Sequence, residues 1–243
     1  MKPTESRTDD IDRALASMKA QIGSSRTDRQ RKTRAWSAGR VIRAVLIAVI
    51  SLVAPFLLLV KVAVAIHLEA GVGPWVALLA AALATTILLT VLTMVVSYRV
   101  RKRFAVSSFT FRSSGLLVVA YCFYSILFIS GANVKSAEVA GTYRALHPLL
   151  RLSVATLVIA DSDLVVTDAA RTIDDYARMG LPANERSLHF EQNSGYVHAV
   201  DLRTVGRSDL RNTAVVSFFR LMGFHTLRHV GTADHLHVSL PVR

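Results

Sequence analysis

Seven of the eight histidines lie after residue 134: His147, His189, His198, His225, His229, His235 and His237. Imidazole ligates metal when neutral and moves protons near neutral pH, so such a concentration points to metal or acid–base chemistry. Three short strings stand out: Ser187-Leu-His189, Ala199-Val-Asp201-Leu202 and Asp234-His-Leu-His237. A catalytic zinc takes three nitrogen or oxygen ligands and keeps a fourth position for water. The single cysteine, Cys122, sits inside an apolar run, which excludes a disulfide framework and a thiolate zinc cluster. Imidazole and carboxylate must therefore supply the ligands. His189, Asp201 and His237 can converge on one ion if the segments that carry them are neighbours.

The elements predicted to place them form a small α+β domain with an antiparallel sheet, since strands and helices mix without regular alternation. Tyr143–Ile159 reads as a helix with Pro148 near its first turn and Leu149, Leu152, Ala155 and Val158 on one face. Leu164–Thr167 is a short β-rich run, and Thr172–Met179 a helix that stops at Gly180. Ser187–Phe190 and Tyr196–Arg203 read as strands joined by the turn-rich Glu191–Gly195. Ser208 caps a helix over Asp209–Met222 that ends at Gly223. Two last strands follow, His225–Val230 and His235–Leu240.

The first half is of another kind. The 243 residues are 52% apolar and 19% charged, with mean hydropathy +0.40, which excludes disorder and a plain soluble domain. Ala44–Val60 (extendable to Ile66), Trp75–Val96 and Leu116–Val134 each approach the roughly 20 apolar residues of a membrane span. Pro55 and Lys61 in the first are tolerated in a spanning helix. The net charge of +12 is uneven: residues 1–43 hold eleven basic and five acidic side chains, and residues 98–114 five basic and none acidic. Beyond residue 134 the count is twelve against eleven, so no basic face for nucleic acid is expected on the domain. Positive charge stays on the cytoplasmic side. The expected layout is a cytoplasmic basic arm over 1–40 with one helix, Asp10–Ile22. A three-helix transmembrane region over 41–134 follows, its first span an uncleaved signal anchor. Residues 135–243 then lie outside, which in a bacterium means the periplasmic side of the inner membrane.

The string Ser187-x-His189 … Gly195 … Ala199-Val200-Asp201-Leu202, followed by Asp234-x-x-His237, resembles the zinc D-alanyl-D-alanine carboxypeptidases and dipeptidases. That superfamily includes phage L-alanyl-D-glutamate endopeptidases and hedgehog-type domains. The resemblance covers residues 143–240. It implies His189, Asp201 and His237 as Zn2+ ligands, Asp234 as general base, and a peptidoglycan-like peptide substrate containing D-amino acids. The family's substrate-contacting arginine corresponds to Arg171 in Val166-Thr-Asp-Ala-Ala-Arg171-Thr172. The family places its first histidine seven residues before the aspartate, where Ser194 stands here. His189 precedes Asp201 by twelve, so the hairpin loop is enlarged by five.

Several residues carry alternative readings. Asp201 could instead pair with Arg203 or another arginine, because a buried carboxylate needs a partner. His235 shares a strand face with His237 and could replace Asp234 as acid/base group. Arg171 could pair with Asp174 or Asp175. His198 should face away from Asp201 unless a bulge intervenes. His147, His225 and His229 read as structural, with His229 able to help an oxyanion. For the whole chain the alternatives are a metal-free cell-wall-binding or assembly module and a membrane scaffold acting through its basic arm.

Overall fold

The computed structural model describes residues 5–101, 108–180, 182–231 and 234–242. The chain divides into two units, Met1–Leu52 and Val53–Arg243. Helix α1 spans Glu5–Ala70, so the arm expected to hold one short helix is helical from Glu5 onward. No proline lies between Pro3 and Pro55 to interrupt it. Helices α2 (Pro74–Arg101) and α3 (Ser108–Leu127) follow. Three helical stretches are long and apolar enough to cross a membrane: Gly39–Ala70, Pro74–Val100 and Ser108–Leu127.

The third stretch is shifted from the expected Leu116–Val134. The polar Ser108–Gly115 continues the helix, whereas the chain leaves it before the Ser130 cap and the 3-10 turn Gly131–Asn133. Asn133 then donates to the carbonyls of Ser162 and Leu164, and Val134 pairs with Val166. The last apolar residues of that run thus belong to the folded domain. Residues 102–107 of the basic 98–114 segment lie outside the described residues.

Helix α4 (Ala137–Thr142), a 3-10 turn Tyr143–Ala145 and helix α5 (Pro148–Ala160) replace the single helix expected over Tyr143–Ile159. Pro148 lacks an N–H to donate and so begins α5 as its first residue, with His147 as cap. Every residue from Pro148 to Leu157 is buried, as a predominantly apolar helix must be away from lipid. One side of α5 meets α3, where Arg151 Nη1 donates to the Ile126 carbonyl at 3.1 Å and Thr156 Oγ1 lies 2.5 Å from Tyr121 Oη. Its other side joins the core of the domain.

Strand β1 (Val166–Asp168), helix α6 (Ile173–Arg178), strand β2 (Ala199–Arg203), helix α7 (Asp209–Met222) and strands β3 (His225–His229) and β4 (His235–Ser239) complete the chain. The sheet order is β1-β2-β4-β3, antiparallel throughout, as an α+β domain requires. The expected strand Ser187–Phe190 does not form. Its backbone makes turn bonds, Ser187 N to Asn184 O and Phe190 N to Ser187 O, while Gln192 Nε2 donates to the Ser187 and Phe190 carbonyls. Helix α7 begins and ends where Ser208 and Gly223 predict. Gly223 has φ +107°, and a Cβ there would lie 3.1 Å from Val64, so backbone conformation and close packing both demand glycine.

One apolar core runs from Leu202, Phe219, Leu236 and Val238 through Leu149 and Leu152 to Leu59, Val64, Leu78 and Val118. The domain therefore rests on its helices through shared packing rather than a tether. A fully buried side chain such as Phe219 contributes roughly 1.5–3 kcal/mol.

His147 is fully buried at this junction, and its Nδ1 accepts the Leu149 N–H at 3.4 Å. Burial, then His198, His67 and Arg151, lower its pKa from 6.5 to about 3. The unfolded chain takes up a proton below 6.5 that the folded chain refuses, so stability is complete above 6.5 and declines as pH falls toward 3. His147→Asn keeps a capping acceptor and removes this term. Thermal melts of the full chain in detergent should lose less stability between pH 6.5 and 4 in the variant than in the wild type; parallel profiles would contradict the assignment.

Candidate metal centre

Asp201 lies at the middle of β2, directly opposite His237 on β4. Antiparallel partners point to the same face, so register alone brings the two together. His189 arrives from the irregular segment before β2. That segment is held on one side by His198 N–H to Leu188 O (2.9 Å) and on the other by Arg171 N–H to His189 O (2.9 Å). The three ligand atoms are mutually close. His189 Nε2 lies 3.2 Å from His237 Nδ1 and 3.2 Å from Asp201 Oδ1, and His237 Nδ1 lies 2.9 Å from that oxygen. Tetrahedral bonds of about 2.0–2.1 Å set ligand atoms roughly 3.3 Å apart, so an ion fits with shifts of a few tenths of an ångström. His189, Asp201 and His237 form the group of His, Cys, Asp or Glu side chains among the described residues suited to a metal ion.

Protonation logic supports the same conclusion. His189 Nδ1 sits 2.6 Å from the Ala169 carbonyl, which can only accept, so Nδ1 carries the hydrogen. In the neutral ring Nε2 then presents a lone pair to a carboxylate oxygen 3.2 Å away. Two lone pairs in a buried place need a cation between them, either a second ring proton or a metal. Burial raises the pKa of Asp201, but where the two rings carry a second proton, hydrogen bonds from His189 and His237 and their charges overcome it and hold the group below the usual carboxylate range. It stays ionised, as a ligand must.

The remaining oxygen of Asp201 is also fixed. Arg171 Nη2 donates to Asp201 Oδ2 at 3.0 Å, while its Nε donates to Asp168 Oδ2 at 2.6 Å. Arg171 thus bridges two carboxylates, pairing with neither Asp174 nor Asp175, and turns Oδ1 toward the histidines. Its guanidinium also stands 5.9 Å from the centre of the Tyr176 ring.

Access is one-sided: the side chains of His189 and Asp201 are 3% and 5% exposed, that of His237 23%. On the open side His235 Nε2 lies 3.7 Å from Asp201 Oδ2, and the rings of His229 and His235 stack at 4.7 Å. Asp234 is engaged elsewhere, accepting from Thr204 Oγ1 and from Arg228 Nη2 at 3.3 Å. Those two donors lower its pKa. His198 turns away from the triad, its Nε2 2.7 Å from Ser194 Oγ, so Ser194 and His198 lie together outside the site. His225 is exposed, and Cys122 is buried in α3. Sequence reasoning missed Asp168 and the Ala169 carbonyl; the i, i+3 spacing of Asp168 and Arg171 was the available signal for the first.

Comparison with protein-family models, with curated proteins and with solved structures gives no match. The metal reading therefore rests on geometry.

Partners that orient a ligand typically govern 10–100-fold in metal affinity. Arg171→Gln and Asp168→Asn should each weaken the binding of a metal ion at this group by about that factor, read by chelator competition on the full chain with Zn2+ as the probe. An unchanged affinity in Arg171→Gln would show that the guanidinium does not position Asp201.

Proposed function

We propose that this chain is a membrane-anchored zinc-dependent peptidase or carboxypeptidase acting on peptides that contain D-amino acids, such as peptidoglycan stems. Its N-terminus is cytoplasmic in this reading and residues 135–243 face the periplasmic side of a bacterial inner membrane, an orientation supported by the basic arm and the basic 98–114 segment. The observation that carries the reading is the meeting of His189, Asp201 and His237 across a twelve-residue separation. The enlarged loop is absorbed in turns, and the three ligand atoms still converge.

When bound, zinc lowers the pKa of water toward about 7 and polarises a carbonyl. The chain's own groups do the rest. His189 and His237 supply ring nitrogens as ligands, and Asp201 supplies the negative charge. Ala169 and Arg171 hold two of these three in their orientation. The proton moves through His235, because its ring reaches the triad whereas Asp234 is committed to Thr204 and Arg228. From its place 3.7 Å from Asp201, His235 takes the proton of the attacking water and returns it to the leaving amine. The exposed edge of His237 gives the side from which a peptide enters.

General acid–base groups contribute about 10²–10⁴-fold to rate. His235→Ala should lower kcat on a D-alanyl-D-alanine-ended stem peptide by about that factor, and Asp234→Asn by less than about tenfold. Product analysis by mass spectrometry on the full chain in detergent checks both, with His237→Ala inactive. If His237→Ala cleaves as well as the wild type, the peptidase reading is wrong. A zinc-free, inactive chain that still sediments with peptidoglycan would make it a wall-binding module.

A further inference from the structure

Helices α2 and α3 pack closely at one level and leave a groove at another. At Gly115 a Cβ would sit 3.6 Å from Thr86 Cγ2, the close approach that a glycine on a helix face permits. One turn nearer the domain, a cavity of about 260 Å³ opens between the same two helices. Trp75, Leu78 and Ala82 of α2 line it from one side, and Val119, Cys122 and Ile126 of α3 from the other. Each set recurs at three- and four-residue spacing, so each is a single helix face. The backbone and ring polar groups of this wall are already engaged: the Trp75 N–H donates to Tyr196 Oη (3.1 Å), and the Ile126 carbonyl accepts from Arg151 Nη1 (3.1 Å).

What fills the groove follows from its lining. Water in a cavity needs several polar partners, and this lining offers only the weakly polar Cys122 thiol. An empty groove would deprive its lining of dispersion contacts on one side. Both helices are long and apolar enough to cross a membrane, and Leu83 and Leu116 on their outer faces are 56% and 71% exposed, so the medium around the groove is lipid hydrocarbon. A further helix is too broad an occupant. The lining from Trp75 to Ala82 rises about 10 Å, whereas a helix with its side chains is about 10–12 Å across, more than this volume admits. A single hydrocarbon chain lying along the groove fits.

We propose that this groove binds one acyl chain of a membrane phospholipid, in the leaflet nearest the domain. The inference rests on the membrane placement of α2 and α3 and not on the peptidase chemistry. Two of the residues that the acyl chain touches also hold the domain: Trp75 through Tyr196, and Ile126 through Arg151. Tyr196 belongs to the enlarged segment between His189 and Asp201, and its neighbour Val197 shares backbone bonds with Ala145 and His147. The bound lipid thus packs beneath the footing of that segment. The indole of Trp75 joins the two, with its apolar body on the lipid and its N–H on the protein.

The test reconstitutes the full chain in vesicles of phosphatidylethanolamine and phosphatidylglycerol that contain a phospholipid with a diazirine at mid-chain. After irradiation, labelled residues are mapped by mass spectrometry. Label should concentrate on the groove-lining residues of α2 and α3 and not on Leu83 and Leu116, although these two are more exposed. Val119→Phe, made at an exposed position, puts a ring into the groove and should remove most of this label. Ala82→Leu fills the groove from α2 and should do the same. Leu116→Phe, on α3 but outside the groove, should leave the label unchanged. Label spread over both helices in proportion to exposure, and indifferent to Val119→Phe, overturns the site. So does a groove that takes no label while Leu83 and Leu116 do, the result if a second copy of the protein covers it. A protein labelled on neither helix overturns the membrane placement along with the site. Zinc and peptide enter none of these readouts, so a failed peptidase assay leaves the result standing.

Discussion

His189 Nε2 and Asp201 Oδ1 face each other at 3.2 Å with almost no water around them, and much of the domain is arranged to keep them there. Left to themselves, two lone pairs at that distance repel, and burial removes the solvent that would soften the repulsion. The Ala169 carbonyl prevents His189 from moving its single proton to Nε2, and Arg171 prevents Asp201 from rotating Oδ1 away. The antiparallel register of β2 and β4 then delivers His237 to the same point. A second ring proton or a metal ion between the two lone pairs would satisfy both.

The same domain is seated on membrane-type helices through a continuous core. Helix α5 is buried along most of its length because it packs against α2 and α3 of the helical region and against α7 of the domain. Its one buried cation, Arg151, ends on the Ile126 carbonyl near the end of α3, where the helix dipole favours positive charge. Val64 against Gly223 and Trp75 on Tyr196 add contacts from the first hairpin.

Much of this was legible in the sequence, for identifiable reasons. Helix α7 announces both its ends, since Ser208 and Gly223 are capping residues with local effects. Strands β3 and β4 and the pairing of Asp201 with His237 follow from short strings whose chemistry is dense. The segment around His189 was not legible as structure: its residue types favour a strand, but its bonds go to turns, to a glutamine side chain and singly to two neighbours. The partners of Arg171 were hidden because they depend on the irregular register between β1 and β2. The Ala169 carbonyl left no trace, since a backbone oxygen has no residue type. Asp234 and His235 are adjacent in sequence, and only the fold shows that one turns to Thr204 and Arg228 while the other reaches Asp201.

The most direct test of the central claim is an anomalous-scattering map at the zinc edge from crystals of the full chain grown with zinc. The account predicts a peak about 2.0–2.2 Å from His189 Nε2, His237 Nδ1 and an oxygen of Asp201 together. A map with no density at that point under saturating zinc, or with the ion held by other groups and the triad closed on itself through a proton, would contradict it.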